Sequence, residues 1–149
     1  MEALYLDDLR VGQVFTAGPH VMEESRMKAF AAEFDPQPFH LDEAAAQASI
    51  FGGLAASGWH TAAVAMRLLV TGGLPFAGGL IGLGGEIAWL RPTRAGDVLR
   101  SESEILAIIP SRSKPNQGVV TVRTRLFNQN DEAVYQFTAK VLLFRRPAG

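Results

Sequence analysis

Apolar residues recur at helical spacing in two segments of the first half of the chain. In residues 23–34 the apolar repeat continues until Asp35 and Pro36 stop the helix. Residues 58–70 are apolar around most of the helix circumference, which is typical of a helix enclosed by other structure. The pattern therefore predicts a long central helix that begins at Gly58.

Between and after these helices, two shorter segments carry local signals. Asp42 is expected to cap a short helix that runs to Ala48, because its side chain can accept a backbone N–H of the first turn. Glycines are dense in residues 71–85, so backbone flexibility or close approach of the backbone is expected there.

The second half of the chain alternates between apolar and polar residues, as half-buried strands do. Alternation is clearest where Val120, Val122 and Leu126 face the opposite way from Thr121 and Arg123. The pattern predicts strands at residues 13–17, 86–90, 98–109, 118–128 and 133–144, separated by turns at 94–97, 110–117 and 128–132. The last four strands are expected to form an antiparallel meander. A sheet of this kind wrapped around the central helix gives an α+β fold.

The segment between the two long helices carries an acid and an imidazole. Asp35 and His40 are separated by a stretch that contains Pro36 and Pro38. Because proline fixes its own φ and disfavours α geometry in the residue before it, residues 35–40 are predicted to form a tight extended loop. A histidine with a positioned carboxyl group suits the proton transfers of water addition or removal. The residue types alone leave open that both side chains are structural.

Composition excludes several classes of function. The chain has 149 residues, the length of one domain, with 48% hydrophobic residues, a net charge of -1 and no cysteine. No electrostatic footprint for nucleic acid is present, and disulfides, thiolate metal sites and a cysteine nucleophile are excluded. The N-terminus lacks the features of a secretory signal, and residues 58–70 are too short to span a membrane. We therefore expect a cytoplasmic protein with no nucleic-acid or membrane partner.

Four motifs carry a resemblance to a known family. They are Phe30-Ala-Ala-Glu-Phe-Asp-Pro-Gln-Pro-Phe-His40, Ala56-Ser-Gly-Trp-His60, Trp89-Leu-Arg-Pro-Thr-Arg-Ala-Gly-Asp97 and Ser111-Arg-Ser-Lys-Pro115. Together they resemble the MaoC-like dehydratases, the family that includes the (R)-specific enoyl-CoA hydratases. The resemblance covers almost the whole chain. It implies a single hotdog domain over residues 1–149, with an antiparallel sheet wrapped around a long central helix.

The resemblance also implies the chemistry. An Asp-x-Asn-Pro-x-His segment supplies the family's acid and histidine, which map onto Asp35 and His40. The glycine that opens the central helix donates its N–H to the thioester carbonyl and maps onto Gly58, where a helix N-terminus suits an oxygen that gains negative charge. A purely structural role of Gly58 in close packing stays open. The implied activity is a hydro-lyase of fatty acid metabolism that reversibly hydrates 2-enoyl-CoA to 3-hydroxyacyl-CoA without a cofactor.

Two residues of the motifs depart from the better-studied hydratases. Gln37 stands where those enzymes usually carry Asn, and Ser57 stands where many have His. Both are expected to bind the substrate and to change its selection, since Gln is one methylene longer than Asn. Ala63 replaces a serine that contributes hydrogen bonds in some hydratases.

Basic residues near turns are candidates for binding the phosphates of the acyl-CoA or acyl-carrier thioester. Arg112 and Lys114 lie on a predicted hairpin turn with two hydroxyl residues, a composition that suits an anionic ligand. A merely solvated turn is the open alternative. Arg91 and Arg94 are weaker candidates for the same task.

Other functions stay open on the sequence alone. A thioesterase on the same fold would hydrolyse the acyl thioester, and a noncatalytic module would bind acyl-CoA without turnover. A metal site is not expected, because no second histidine or carboxylate falls at ligand spacing around His40. His60 is interpreted as a packed histidine, and Trp59 and Trp89 are interpreted as core and dimer-interface residues. The resemblance further implies a homodimer or a higher homo-oligomer, formed by pairing of edge strands.

Overall fold

The structure, a computed structural model, describes residues 2–148. Within this range the helices are α1 (Glu24–Phe34), α2 (Pro38–Leu41), α3 (Glu43–Gln47) and α4 (Gly58–Leu68), and the strands are β1 (Val14–Val21), β2 (Ile81–Trp89), β3 (Val98–Pro110), β4 (Gln117–Phe127) and β5 (Ala133–Phe144). A 3₁₀ turn (Leu6–Asp8) precedes β1, and a wide helical turn (Leu69–Gly73) follows α4. None of the helices in the described part of the chain has the length and apolar character needed to cross a membrane.

The predicted helix starts are confirmed. Asp42 caps α3 by accepting a 2.8 Å hydrogen bond from the N–H of Ala45, which satisfies one of the unpaired donors of the first turn. The central helix α4 begins at Gly58, as predicted, and Ser57 is its N-cap. It ends at Leu68, two residues earlier than expected, where the wide turn takes over.

All five strands belong to one antiparallel sheet with the order β1-β3-β4-β5-β2. The predicted meander is correct for β3, β4 and β5 and wrong for β2, which pairs with β5 instead of β3. The reason lies in the connection 90–97. Leu90 donates its N–H to Val134 at the start of β5, whereas Asp97 accepts the N–H of Met22 at the end of β1. The connection between β2 and β3 therefore crosses from the β2 edge of the sheet to β3, which lies three strands away beside the other edge strand, β1.

The core lies between α4 and one face of the sheet. Burial alternates along β4, and Val120, Val122 and Leu126 are at most 2% exposed, as the sequence pattern predicted. Against this face pack Val64 and Leu68 of α4. Each aliphatic side chain buried in this way contributes about 1.5–3 kcal/mol relative to an exposed one. The resulting rigid sheet and helix hold the N-terminus of α4 in a fixed position.

One face of the central helix is not covered by any of the residues 2–148, in contrast to the enclosed helix expected from its apolar composition. Trp59, Met66 and Val70 are 58%, 44% and 58% exposed. The neighbouring edge strand β2 has a similar character, with Leu83 56% exposed and Trp89 45% exposed. An apolar surface therefore continues from α4 across the outer edge of β2.

Candidate active site

The acid and the imidazole lie at the junction of α1 and α2. Asp35 follows the last residue of α1, and Gln37 has extended backbone angles, both as predicted. The expected extended loop is wrong from Pro38 onward, because Pro38 opens the helical turn α2 and His40 lies within it. Proline excludes helical geometry from the residue before it but favours the first helical position itself. The turn brings the His40 ring back toward Asp35.

His40 is held by hydrogen bonding and by aromatic packing. Its side chain is 7% exposed, and Nδ1 lies 2.7 Å from the carbonyl oxygen of Ala55. A carbonyl only accepts hydrogen bonds, so Nδ1 carries a proton and donates it to Ala55. Phe39 contacts the ring edge-on, with the ring centroids 4.6 Å apart. The other nitrogen, Nε2, lies 3.3 Å from Oδ2 of Asp35 and is left to exchange protons.

Asp35 is surrounded by donors. The Ser57 hydroxyl donates to Oδ2 over 2.7 Å, and the Gln37 side-chain amide donates to Oδ1 over 2.5 Å. Burial raises the pKa of Asp35, but these two hydrogen bonds, together with the charge that His40 carries when it is protonated, outweigh the effect of burial, so that the pKa lies below its ordinary value. The carboxylate is therefore ionised at neutral pH. Gln37 and Ser57, the two sequence departures, both contact the catalytic acid candidate directly.

The N-terminus of α4 lies beside this pair. Ser57 accepts a 3.3 Å hydrogen bond from the N–H of Trp59, whereas the N–H of Gly58 makes no hydrogen bond within the described residues. The first N–H groups of a helix lack partners within it and form the positive end of its dipole. An oxygen that gains negative charge is stabilised at such a position.

Trp89 packs directly on Gly58. Its indole N–H donates to the Gly58 carbonyl over 2.8 Å, and a Cβ on Gly58 would lie 2.7 Å from the indole nitrogen. Glycine is therefore required here for close packing, the alternative considered from the sequence, and this requirement is compatible with a role of the N–H. From the sequence, Trp89 was expected only in the core or at a dimer interface, because nothing local to it signals a contact 31 residues away.

Arg94 fixes the segment that leads into α4. Its guanidinium donates to the carbonyl oxygens of Gly53, Leu54 and Phe51. The next residue of that segment, Ala55, is the partner of His40. Arg94 thus has its donors committed within the protein, which removes the reason for considering it as a phosphate ligand.

These groups open into one cavity of about 440 Å³. Its wall is formed by Asp35, Gln37, Phe39, His40, Phe51, Ala56, Gly58, Trp59, Thr61 and residues 89–93. Sequence analysis did not assign Thr61 and Thr93 to the site; their hydroxyls are 3.2 Å apart and buried. Mainly apolar walls with a few convergent polar groups are typical of a small-molecule site.

Not all of the candidate binding residues reach the cavity. Ser57 is fully buried behind Asp35 and is not part of the wall. Arg112 and Lys114 lie on the turn between β3 and β4, whereas the cavity is at the other end of the sheet, near the end of β2 and the start of β5. The eleven residues of β4 correspond to about 36 Å at about 3.3 Å per residue. Within one chain this turn is therefore remote from His40.

Comparison with known proteins gives the family. A model described as MaoC like domain matches residues 9–127, and the chain belongs to this family. The uncharacterized protein YdeM of Bacillus subtilis is 33% identical over 143 residues, which cover 94% of this chain and 99% of YdeM. Mesaconyl-CoA hydratase of Cereibacter sphaeroides is 41% identical over 61 residues, which cover 41% of this chain and only 18% of the hydratase.

Solved structures confirm the hotdog fold expected from the resemblance. The crystal structure of a MaoC-like dehydratase from Rhodospirillum rubrum matches with a TM-score of 0.97 and 57% identity, over 98% of this chain and 100% of that one. The unliganded R-hydratase PhaJ1 from Pseudomonas aeruginosa matches with a TM-score of 0.79 and 30% identity, over 97% of this chain and 88% of that one.

Proposed function

We propose that the protein is a hydro-lyase that reversibly adds water to the α,β double bond of a 2-enoyl thioester, with 2-enoyl-CoA as the expected substrate. The observation that best supports this proposal is the pairing of an ionised Asp35 with His40 beside the Gly58 N–H in one cavity. Membership of the MaoC-like family supports the same reaction class. So do the names of the two similar hydratases.

His40 acts as the base in the hydration direction. Because Nδ1 donates to Ala55, the unprotonated Nε2 faces Asp35 and accepts a proton from water. The ionised Asp35 accepts a hydrogen bond from the same water and orients its oxygen toward C3 of the substrate. The water oxygen forms a bond to C3, and the double-bond electrons move to the thioester oxygen.

The resulting enolate is stabilised at the N-terminus of α4. The Gly58 N–H donates to the thioester oxygen, which gains negative charge in this step. The proton taken by Nε2 passes to Asp35, 3.3 Å away, and from there to C2. One proton thus leaves water and one arrives at C2, and no other co-reactant is needed. Dehydration follows the same steps in reverse.

A homodimer through β2 is part of the proposal. β2 is an edge strand whose outer N–H and C=O groups are unpaired in one chain, and apolar residues accompany it along its length. Exposed edges of this kind are templates for pairing with another chain. The exposed apolar residues on β2 and on the neighbouring face of the central helix are Trp59, Met66, Val70, Ile81, Leu83, Trp89 and Leu90. A second copy paired antiparallel along β2 continues the sheet and covers them.

In the proposed dimer, the turn that carries Arg112 and Lys114 lies near the cavity of the other subunit. Ile81 lies at the same end of the sheet as that turn, and Trp89 lies at the cavity end. A two-fold axis through the middle of β2 reverses the ends, so the turn of one subunit comes to the cavity end of the other. The phosphate-binding role expected of Arg112 and Lys114 is thus proposed to act across the dimer.

The test is incubation of the purified protein with short, medium and branched 2-enoyl-CoA thioesters, followed by mass analysis. We expect a gain of water without release of free CoA. In Asp35→Asn and His40→Ala variants the rate should fall by about a hundredfold to ten-thousandfold, the usual contribution of a general acid or base. Asp35→Asn preserves the shape of the side chain, so it serves as the stricter variant if the buried His40 is needed for folding.

Matched controls lie outside the cavity. Asp42→Asn keeps the cap of α3, since Asn caps as well as Asp, and His20→Gln changes a histidine on β1. Both should retain wild-type rates. Release of CoA in place of water gain would identify a thioesterase, and full hydration by folded Asp35→Asn would overturn the mechanism.

A further inference from the structure

Arg91 is the permanently cationic residue in the wall of the catalytic cavity. The wall also contains Asp35 and His40, but neither Lys nor a second Arg belongs to it within the described residues. Sequence analysis ranked Arg91 below Arg112 and Lys114. The cavity geometry reverses this order for a single subunit, because Arg91 alone of the three borders the site.

The backbone around Arg91 is firmly placed. The N–H groups of Leu90 and Arg91 both lie within hydrogen-bonding distance of the Val134 carbonyl, at 2.9 and 3.4 Å. Two residues later, the buried Thr93 accepts the N–H of Ala56 over 2.9 Å. Arg91 therefore projects from a fixed strand end, and only its side chain has freedom to move.

The guanidinium of Arg91 has one weak partner. It lies 3.3 Å from the carboxylate of Glu132, and the two side chains are 58% and 39% exposed. Exposed ion pairs of this kind contribute little, about 0–1 kcal/mol, because solvent screens the charges. A phosphate anion at the same place competes easily with Glu132, since phosphate and guanidinium form paired, charge-assisted hydrogen bonds.

The exposure of Arg91 places its charge at the mouth of the cavity, whereas His40 and Thr61 lie on the buried floor. A cavity of about 440 Å³ holds the reacting thioester with part of the acyl chain and the pantetheine arm. The phosphate groups of the carrier must then lie outside, past the mouth. A carboxylate on the acyl chain would instead lie inside with the acyl group.

We propose that Arg91 binds a phosphate of the substrate's pantetheine carrier and so selects phosphorylated thioesters over simple ones. The inference rests on the proposed function, because it takes the cavity as the thioester site. The shared chemistry is a phosphate at the end of pantetheine, which belongs both to coenzyme A and to the phosphopantetheine group of a carrier protein.

Binding without turnover tests the proposal independently of catalysis. Isothermal titration with free CoA, 4′-phosphopantetheine and pantetheine gives three dissociation constants for each variant. Arg91→Ala should weaken CoA binding about tenfold and leave pantetheine binding unchanged, as expected for the loss of a charge-assisted contact. Equal weakening with 4′-phosphopantetheine assigns the contact to the phosphate next to pantetheine. Weakening with CoA alone assigns it to a nucleotide phosphate.

Three further variants sharpen this test. Arg91→Lys keeps the charge without the planar pair of donors, so its affinity for CoA should lie between the wild type and Arg91→Ala. Glu132→Gln removes the competing carboxylate and should bind CoA more tightly than the wild type. Arg26→Ala is the matched control, because Arg26 is also an exposed arginine in a surface ion pair but lies on α1 outside the cavity.

Kinetics give the second readout. With a 2-enoyl-CoA substrate, Arg91→Ala should raise KM about tenfold with kcat unchanged, and with the matching N-acetylcysteamine thioester, which has no phosphate, neither constant should change. Equal losses with both thioesters, or an unchanged affinity for CoA, would overturn the role of Arg91. If the wild type hydrates neither thioester, the proposed function fails, while the titrations still decide whether Arg91 binds phosphate.

Discussion

The Ser57 hydroxyl donates a 2.7 Å hydrogen bond to Oδ2 of Asp35, the same oxygen that lies 3.3 Å from Nε2 of His40. This bond stabilises the ionised carboxylate and is one of the causes of its lowered pKa. In Ser57→Ala the pKa of Asp35 should rise. The acid limb of the profile of kcat/KM against pH should then move to higher pH, because the carboxylate takes up its proton sooner as pH falls.

The control for this shift is Ser101→Ala. Ser101 is also buried, but its hydroxyl has no hydrogen-bond partner among the described residues, so its removal should leave the pH profile unmoved. The lowered pKa of Asp35 also makes the free energy of unfolding depend on pH. A lowered folded-state pKa contributes stability that is present above the ordinary value of 3.8 and is lost as pH falls through the folded-state pKa. Ser57→Ala should therefore lose less stability on acidification than the wild type does.

A second prediction distinguishes two roles of Gly58: its N–H as a hydrogen-bond donor, and its lack of a Cβ, which allows Trp89 to pack on it. In the wild-type background Gly58→Ala should be destabilised, because the new Cβ meets the Trp89 indole at 2.7 Å. In a Trp89→Ala background that space is open. There, Gly58→Ala keeps the N–H and should retain the activity of the Trp89→Ala parent, whereas Gly58→Pro removes the N–H and should lose about a hundredfold to a thousandfold in kcat.

Proline is a fair probe at this position. The first helical position tolerates proline, and the backbone of Ser57, with φ -54° and ψ 136°, suits the residue before a proline. Circular dichroism checks that both double variants keep the helix. Equal activity of folded Gly58→Pro and Gly58→Ala in the Trp89→Ala background would remove the N–H from the mechanism.

A third prediction concerns Arg94. Arg94→Met keeps an unbranched stem in place of the arginine stem but leaves the carbonyl groups of Phe51, Gly53 and Leu54 without their donor. The free energy of unfolding in urea should fall by about 2–3 kcal/mol, the cost of unpaired polar groups in a partly buried place. The rate should fall as well, because the same segment continues to Ala55, the partner of His40.

Arg94→Lys should recover part of the stability, since one ammonium group cannot reach all three carbonyls with the geometry of a guanidinium. Arg26→Met on the exposed face of α1 provides the comparison and should change the free energy of unfolding by less than about 0.5 kcal/mol. Wild-type stability of Arg94→Met would show that the segment is held by other contacts.

A fourth prediction addresses alkaline pH. Burial raises the pKa of Tyr135 from 10.0 to about 12. Because the folded-state value is the higher one, the contribution to stability is complete below pH 10 and is lost as pH rises toward 12. A shift of this size corresponds to a loss of about 2–3 kcal/mol across that range. Urea unfolding at several alkaline pH values should show this loss in the wild type and a flatter dependence in Tyr135→Phe.

Most of the correct predictions depended on short-range patterns in the sequence. The cap at Asp42, the start of α4 at Gly58 and the alternation along β4 depend on neighbouring residues, and each was confirmed. The short helix at Pro38 was missed because proline was considered only as a breaker of the preceding residue. Proline can also occupy the first position of a helix, as Pro38 does in α2, and a short motif does not show which of the two roles a proline has.

Long-range pairing was harder to predict. Strand β2 was predicted to pair with β3 because the two follow each other in sequence, yet it pairs with β5 and is itself an edge strand of the sheet. Within the site, Asp35, His40 and Gly58 could be found from motifs. The contacts of Trp89 with Gly58, and of Arg94 with Phe51, join segments far apart in sequence and required coordinates.

Most of the proposed catalytic apparatus comes from one short part of the chain. The dyad, the hydrogen-bond donors to Asp35, the partner of His40 and the N-terminus of α4 all lie between Asp35 and Gly58, outside the strands. Substitutions on the outer face of the sheet can therefore accumulate without touching the reacting groups. Related chains that keep this segment are free to diverge in stability and assembly. Trp89 is the exception among the strand residues, because it contacts Gly58 directly.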